Sequence, residues 1–118
     1  MELSVGTRLV SAHAVVEVGG EVDVFTAPRL RDRLNEVIGS GQQQLVVDLT
    51  KVDFLDSTGL GVLVGVNRRL ERTGGTLVLV CPQEKLLKIF RIAGLLSVFK
   101  IYRTVPEATA ASPSADEH

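Results

Sequence analysis

One run of residues, Asp56-Ser57-Thr58-Gly59-Leu60-Gly61, sets a carboxylate and two hydroxyls beside two glycines, at the start of a helical pattern from Leu60 to Leu70. The first turn of a helix carries backbone N–H groups without intrahelical partners, and the macrodipole adds about half a positive charge there. An anion is stabilised at such a point. As an N-cap, Ser57 would offer its oxygen to one of those amides, and Ser57→Ala would cost about 1 kcal/mol. As a phosphate acceptor, it would present about 1.5 to 2 negative charges to the amides of Thr58, Gly59 and Leu60. The two roles are compatible, and a serine at a helix start is more often a cap than a switch.

Other chemistries fit these residues poorly. Gly59-Leu60-Gly61 suggests a dinucleotide loop, but that fingerprint needs Gly or Ala three residues after the second glycine, and position 64 is Val. The Gly-Lys-Ser/Thr ending of a phosphate-binding loop is missing. A nucleophile elbow needs Gly two residues before the serine, where Leu55 stands. The only candidate bases, His13 and His118, fall on a predicted strand and on the terminus. Asp48, Asp53 and Asp56 could gather around Mg²⁺, although three acids near one loop are more often a solvated rim. Arg29, Arg31 and Arg33 read as a solvated helix face, and Cys81 as a small core residue at a strand end.

The elements that must position this run follow from the pattern. A chain of 118 residues holds one domain and one core, and 45% hydrophobic residues allow that core to be well packed. A net charge of −1 removes the usual electrostatic basis for direct nucleic-acid binding. A single cysteine forms no internal disulfide, and neither a signal peptide nor a membrane-length apolar run is seen. The expectation is a cytoplasmic monomer.

Residues Leu3–Val10 and His13–Val18 read as a hairpin that Gly19-Gly20 breaks. Thr26 reads as the cap of a helix with Pro28 in its first turn and Ala27, Leu30, Leu34, Val37 and Ile38 on its apolar stripe. Leu45 to Leu49 is a short strand, and Val52 to Leu55 leads to the Ser57 helix, whose stripe is Leu60, Leu63, Val64, Asn67 and Leu70. A strand from Thr76 to Cys81 ends at Pro82. A helix follows with Leu86, Leu87, Phe90 and Ala93 inward and Gly94 just past its end. Ser97 to Tyr102 is a last strand, and Pro106 opens a short terminal helix. The class is α/β: a mixed sheet of about five strands, an N-terminal hairpin followed by alternating helices and strands, covered by about four helices. Functional groups in such sheets collect beyond the carboxyl ends of the strands, where Ser57 lies. Glycines inside a helix cost about 1 kcal/mol each relative to Ala. Gly61 and Gly65 therefore imply close approach of another backbone, either the sheet or a partner docked on the helix.

Taken together, Gly20-Glu21-Val22-Asp23, Thr26-Ala27-Pro28, Val47-Asp48-Leu49, the run from Val52 to Leu63, Gly94-Leu95 and Phe99-Lys100-Ile101-Tyr102 resemble the anti-sigma factor antagonists of the STAS domain family. The resemblance implies a STAS domain over residues 1–106, with 107–118 a frayed tail. It implies that Ser57, rather than Thr58, is phosphorylated by an anti-sigma factor with serine kinase activity. The unphosphorylated form would bind that partner and free a sigma factor, and a PP2C-type phosphatase would restore it. Asp23, Asp56, Ser57, Thr58, Gly59 and Gly61 form the implied partner-binding set. ATP and Mg²⁺ would belong to the kinase, so this chain itself would need no cofactor or metal and would not be an enzyme. Two further readings are a STAS scaffold or regulatory subunit in a stress-signalling or transporter complex, and a nucleotide-binding domain with weak hydrolytic activity.

Overall fold

The computed structural model describes residues 2–110. Strands β1 (Leu3–Val10) and β2 (His13–Val22) are followed by α1 (Ala27–Gly39), β3 (Gln44–Leu55) and α2 (Ser57–Arg72). Then come β4 (Thr76–Val80), α3 (Glu84–Ile92), β5 (Lys100–Tyr102) and α4 (Val105–Ala110). The five strands lie in chain order, β1-β2-β3-β4-β5, with β1 antiparallel to β2 and every later pair parallel. All four parallel strands therefore point their carboxyl ends to one edge of the domain.

Helices α1 to α3 cover one face. Leu30 and Leu34 of α1, Leu63 and Leu70 of α2, and Leu86 and Phe90 of α3 pack with Val16, Leu45, Val47 and Leu79 of the sheet, all fully buried. Phe90 meets Phe99 edge-on, with ring centroids 6.1 Å apart. On the opposite face Ala108 of α4 packs on Val15, Val46 and Val80. The expected α1 stripe is buried at all five positions. On α2, Val66 is buried, whereas Val64 is partly buried and packs against the core. Of the frayed tail expected over 107–118, residues 107–110 instead complete α4, whose Ala108 is fully buried, and 111–118 lie outside the described residues.

Three local expectations are corrected. Gly19-Gly20 does not end β2, which continues to Val22. Gly20 has φ +91°, and a Cβ there would collide with the Glu2 carbonyl, whose oxygen accepts from the Glu21 amide. Nor is β3 two pieces. Its pairing with β2 slips between Glu17 and Gly19 and again between Gly20 and Glu21. Each slip gives β3 an extra residue, so its inward positions run Leu45, Val47, Leu49, then Val52, then Leu55. The Gln83 side-chain amide braces this irregular stretch, reaching the carbonyls of Leu49 at 2.8 Å, Thr50 at 2.9 Å and Val52 at 3.0 Å. Finally, Thr26 makes no capping bond to α1; its hydroxyl turns back to the Glu21 carbonyl at 2.8 Å.

Candidate functional site

At the carboxyl ends of β2 and β3 the chain makes two turns, each organised by an aspartate. In the first, the Asp23 carboxylate accepts from the amides of Phe25 at 2.9 Å and Thr26 at 3.0 Å, while the Asp23 amide donates to the Thr26 hydroxyl at 2.9 Å. The Thr26 amide, together with the Phe25 amide and the Thr26 hydroxyl, outweighs the opposing effect of burial and holds the Asp23 carboxyl below its ordinary 3.8. Asp23 is itself buried. What it presents outward is the tip of its turn, with Val24 58% and Phe25 82% exposed.

In the second turn Asp56, not Ser57, is the N-cap. Its carboxylate accepts from Thr58 N at 2.9 Å and Gly59 N at 3.2 Å. Its own amide donates to the Val22 carbonyl at 3.2 Å, which fastens this turn to the end of β2 beside the first. Ser57 is therefore the first residue of α2 and exposed, and its hydroxyl makes no hydrogen bond among the described residues. Capping thus falls to Asp56 and leaves the neighbouring Ser57 hydroxyl uncommitted. A sixteen-residue helix stands behind the free hydroxyl with its positive end toward it.

The remaining members of the expected set divide. Thr58 and Gly61 are exposed next to Ser57 on α2, whereas Gly59 is buried. A Cβ on Gly59 would lie 2.5 Å from Leu55 Cδ1 and 2.7 Å from Val22 Cγ1, so a bare backbone is required where α2 leaves the sheet. Gly61 and Gly65 behave differently. A Cβ at either would meet nothing within 4 Å, which removes close sheet packing as their explanation.

Sequence reasoning missed the apolar rim. Phe25, Val24 and Phe54, the last 47% exposed and paired across the ladder with Glu21, flank the two turns. The available signal was Val24-Phe25 inside a tight turn, outside any periodic stripe that could bury them.

Alternative chemistries gain nothing from the geometry. His13 begins β2, roughly 25 to 30 Å of strand away from the Ser57 end. Asp48 is engaged by Thr50, Asp56 by α2 amides, and no three metal-type ligands gather among the described residues. Cys81 is buried at the end of β4, where burial pushes its thiol up to about 11. Arg31 pairs with Asp32 at 3.3 Å and Arg33 with Glu36 at 3.5 Å, both in solvent. No helix among the described residues is long and apolar enough to cross a membrane.

At the carboxyl ends of its parallel strands this small α/β domain thus presents an exposed, uncommitted Ser57 hydroxyl at a helix start, with Val24, Phe25 and Phe54 exposed on the adjoining turn and strand. The chain belongs to the STAS domain family, whose profile matches residues 6–108. It is 36% identical over 101 residues to the anti-sigma-B factor antagonist of Bacillus subtilis, a match covering 86% of this chain and 92% of that one. The crystal structure of an anti-sigma factor antagonist from Mycobacterium paratuberculosis superposes with a TM-score of 0.81 at 30% identity, covering 93% of each chain. The Bacillus cell fate determinant SpoIIAA in its phosphorylated form is similar at TM-score 0.71 and 25% identity, covering 91% of this chain and 97% of that one.

Proposed function

We propose that this chain is an anti-sigma factor antagonist: with Ser57 unmodified it binds an anti-sigma factor and so releases a sigma factor, and phosphorylation of Ser57 by that same partner, a serine kinase, ends the interaction. The observation that carries the reading is the Ser57 hydroxyl itself, exposed at the start of α2 and excused from capping by Asp56. The names of the relatives and the solution of SpoIIAA in a phosphorylated form support it.

The chemistry of the switch is electrostatic. A phosphate adds about 1.5 to 2 negative charges next to Asp56 while the apolar rim of Phe25, Val24 and Phe54 stays in place. Burying such a charge without a partner costs about 3 to 5 kcal/mol, roughly a hundredfold to a few thousandfold in affinity. No change of fold is needed. Phosphoryl transfer, with ATP and Mg²⁺, is the kinase's work, and a PP2C-type phosphatase returns the active form. The site members in this account are Asp56, Ser57, Thr58 and Gly61 at the surface. Asp23 and Gly59 hold the two turns in shape.

Peptide mass spectrometry after incubation with the anti-sigma kinase and ATP tests the assignment. One phosphate on Ser57 is expected; phosphate on Thr58 alone, or on neither residue, overturns it.

A further inference from the structure

Between α1 and α2 runs a groove of about 500 Å³ that takes in Thr58 and Gly61 of the site described above and continues along α2 to Arg72. Thr58, one of its lining residues, is the neighbour of Ser57. Gly61 and Gly65 line it, together with Arg31 of α1 and Arg69 and Arg72 of α2. The α2 residues recur three or four apart, so they lie along one line of the helix, about 21 Å from Thr58 to Arg72. The three guanidiniums are weakly committed. Arg69 reaches the Asn35 carboxamide oxygen at 2.7 Å, a neutral group, and Arg31 holds the exposed Asp32 at 3.3 Å. Arg72 makes no hydrogen bond or ion pair among the described residues. Exposed pairs of this kind contribute little and exchange readily.

We propose that this groove seats an acidic helix of the protein partner, laid along α2 from Ser57 toward Arg72. Charge complementarity selects the occupant: three guanidiniums line the groove, Arg31 already paired with the exposed Asp32, and match a helix bearing several carboxylates. The open space over Gly61 and Gly65, where a Cβ would meet nothing within 4 Å, lets that helix approach the α2 backbone closely, which a long side chain at either position would obstruct. The proposal rests on the partner-binding reading and deepens it. An acidic helix entering beside Ser57 would meet a new phosphate head-on, so like-charge repulsion would oppose the docked segment at its first turn.

The test is an amide-resolved NMR titration of the protein with a capped Glu/Ala peptide of about 20 residues, long enough to be helical alone. A Lys/Ala counterpart and inorganic tripolyphosphate serve as the other ligands. Saturable shifts at Gly61, Gly65 and Arg69 with the acidic peptide alone are expected, weakening with salt. Arg69→Glu/Arg72→Glu should lower its affinity about tenfold, and Gly65→Leu should block it. Both changes lie at exposed positions, and melting curves check that the fold is kept. Shifts elsewhere, equal response to the lysine peptide, or unchanged affinity of the charge-reversed variant would overturn the proposal. So would tripolyphosphate saturating these amides while the peptide does not, since the groove would then be a small-anion site. With the anti-sigma kinase as ligand, the charge-reversed variant should lose about tenfold in capture. Absence of phosphate on wild-type Ser57 would remove the switch reading while leaving the peptide map to be judged separately.

Discussion

Replacing Asp56 by Ala should destabilise the protein far more than replacing Ser57. The Asp56 carboxylate accepts two amides, Thr58 N at 2.9 Å and Gly59 N at 3.2 Å, and Gly59 is buried. Loss of a cap typically costs about 1 kcal/mol, and removing a carboxylate from a helix start adds about 0.3 to 1. A buried amide left unpaired pushes the total toward about 2 kcal/mol. For a domain of this size that is a fall in Tm of roughly 6 to 10 °C. Ser57→Ala removes an exposed hydroxyl that bonds to nothing among the described residues, so it should stay within about 0.5 kcal/mol of wild type. Asp56→Asn keeps an acceptor and should fall between. Urea unfolding followed by far-UV circular dichroism, with m unchanged across the set, measures all three. A loss of 1 kcal/mol or more, by about the cap's usual worth, in Ser57→Ala alongside a neutral Asp56→Ala would refute the cap assignment and return Ser57 to a structural role.

Glycines on the same helix should respond with opposite sign. Gly59→Ala should cost about 1 to 3 kcal/mol through overlap with Leu55 and Val22, whereas Gly65→Ala, facing open space, should gain up to about 1 kcal/mol; paired urea curves decide. The lowered pKa of Asp23 means that its ionised form is favoured by folding, so its contribution is whole above the ordinary 3.8 and is lost as pH falls through the lower folded value. Asp23→Asn should therefore flatten the acid limb of a Tm-against-pH profile, and an unchanged limb would contradict the turn geometry. Phe25→Ala should leave Tm nearly unchanged, because the ring is 82% exposed, yet weaken anti-sigma factor capture by about tenfold or more if it anchors the rim.

Much of this architecture was legible in the residues because the elements bury one regular face. The stripe Ala27, Leu30, Leu34, Val37 and Ile38 places α1 without ambiguity, and Gly94, at φ +74° just past the Ala93 cap, ends α3 as a glycine there should. Regularity is also what failed in β3. Two inserted residues shift its inward positions, so period-two alternation reads as two fragments with a turn between them, and the Gln83 brace that steadies the irregular stretch comes from over 30 residues away. At the site, the run from Asp56 to Gly61 marked the position, yet the division of labour between Asp56 and Ser57 turns on one backbone residue of register, within the usual error of a helix boundary. Phe25 escaped notice because exposure of a single aromatic in a turn depends on how Asp23 and Thr26 fold that turn, which is a matter of tertiary geometry.

The most direct test of the central claim is calorimetric titration of the anti-sigma kinase with four forms of this protein: wild type, enzymatically phosphorylated wild type, Ser57→Ala and Ser57→Asp. The account predicts matching affinities for wild type and Ser57→Ala, a loss of at least about a hundredfold on phosphorylation, and a weakened Ser57→Asp. Equal binding by the phosphorylated and unmodified forms would contradict it.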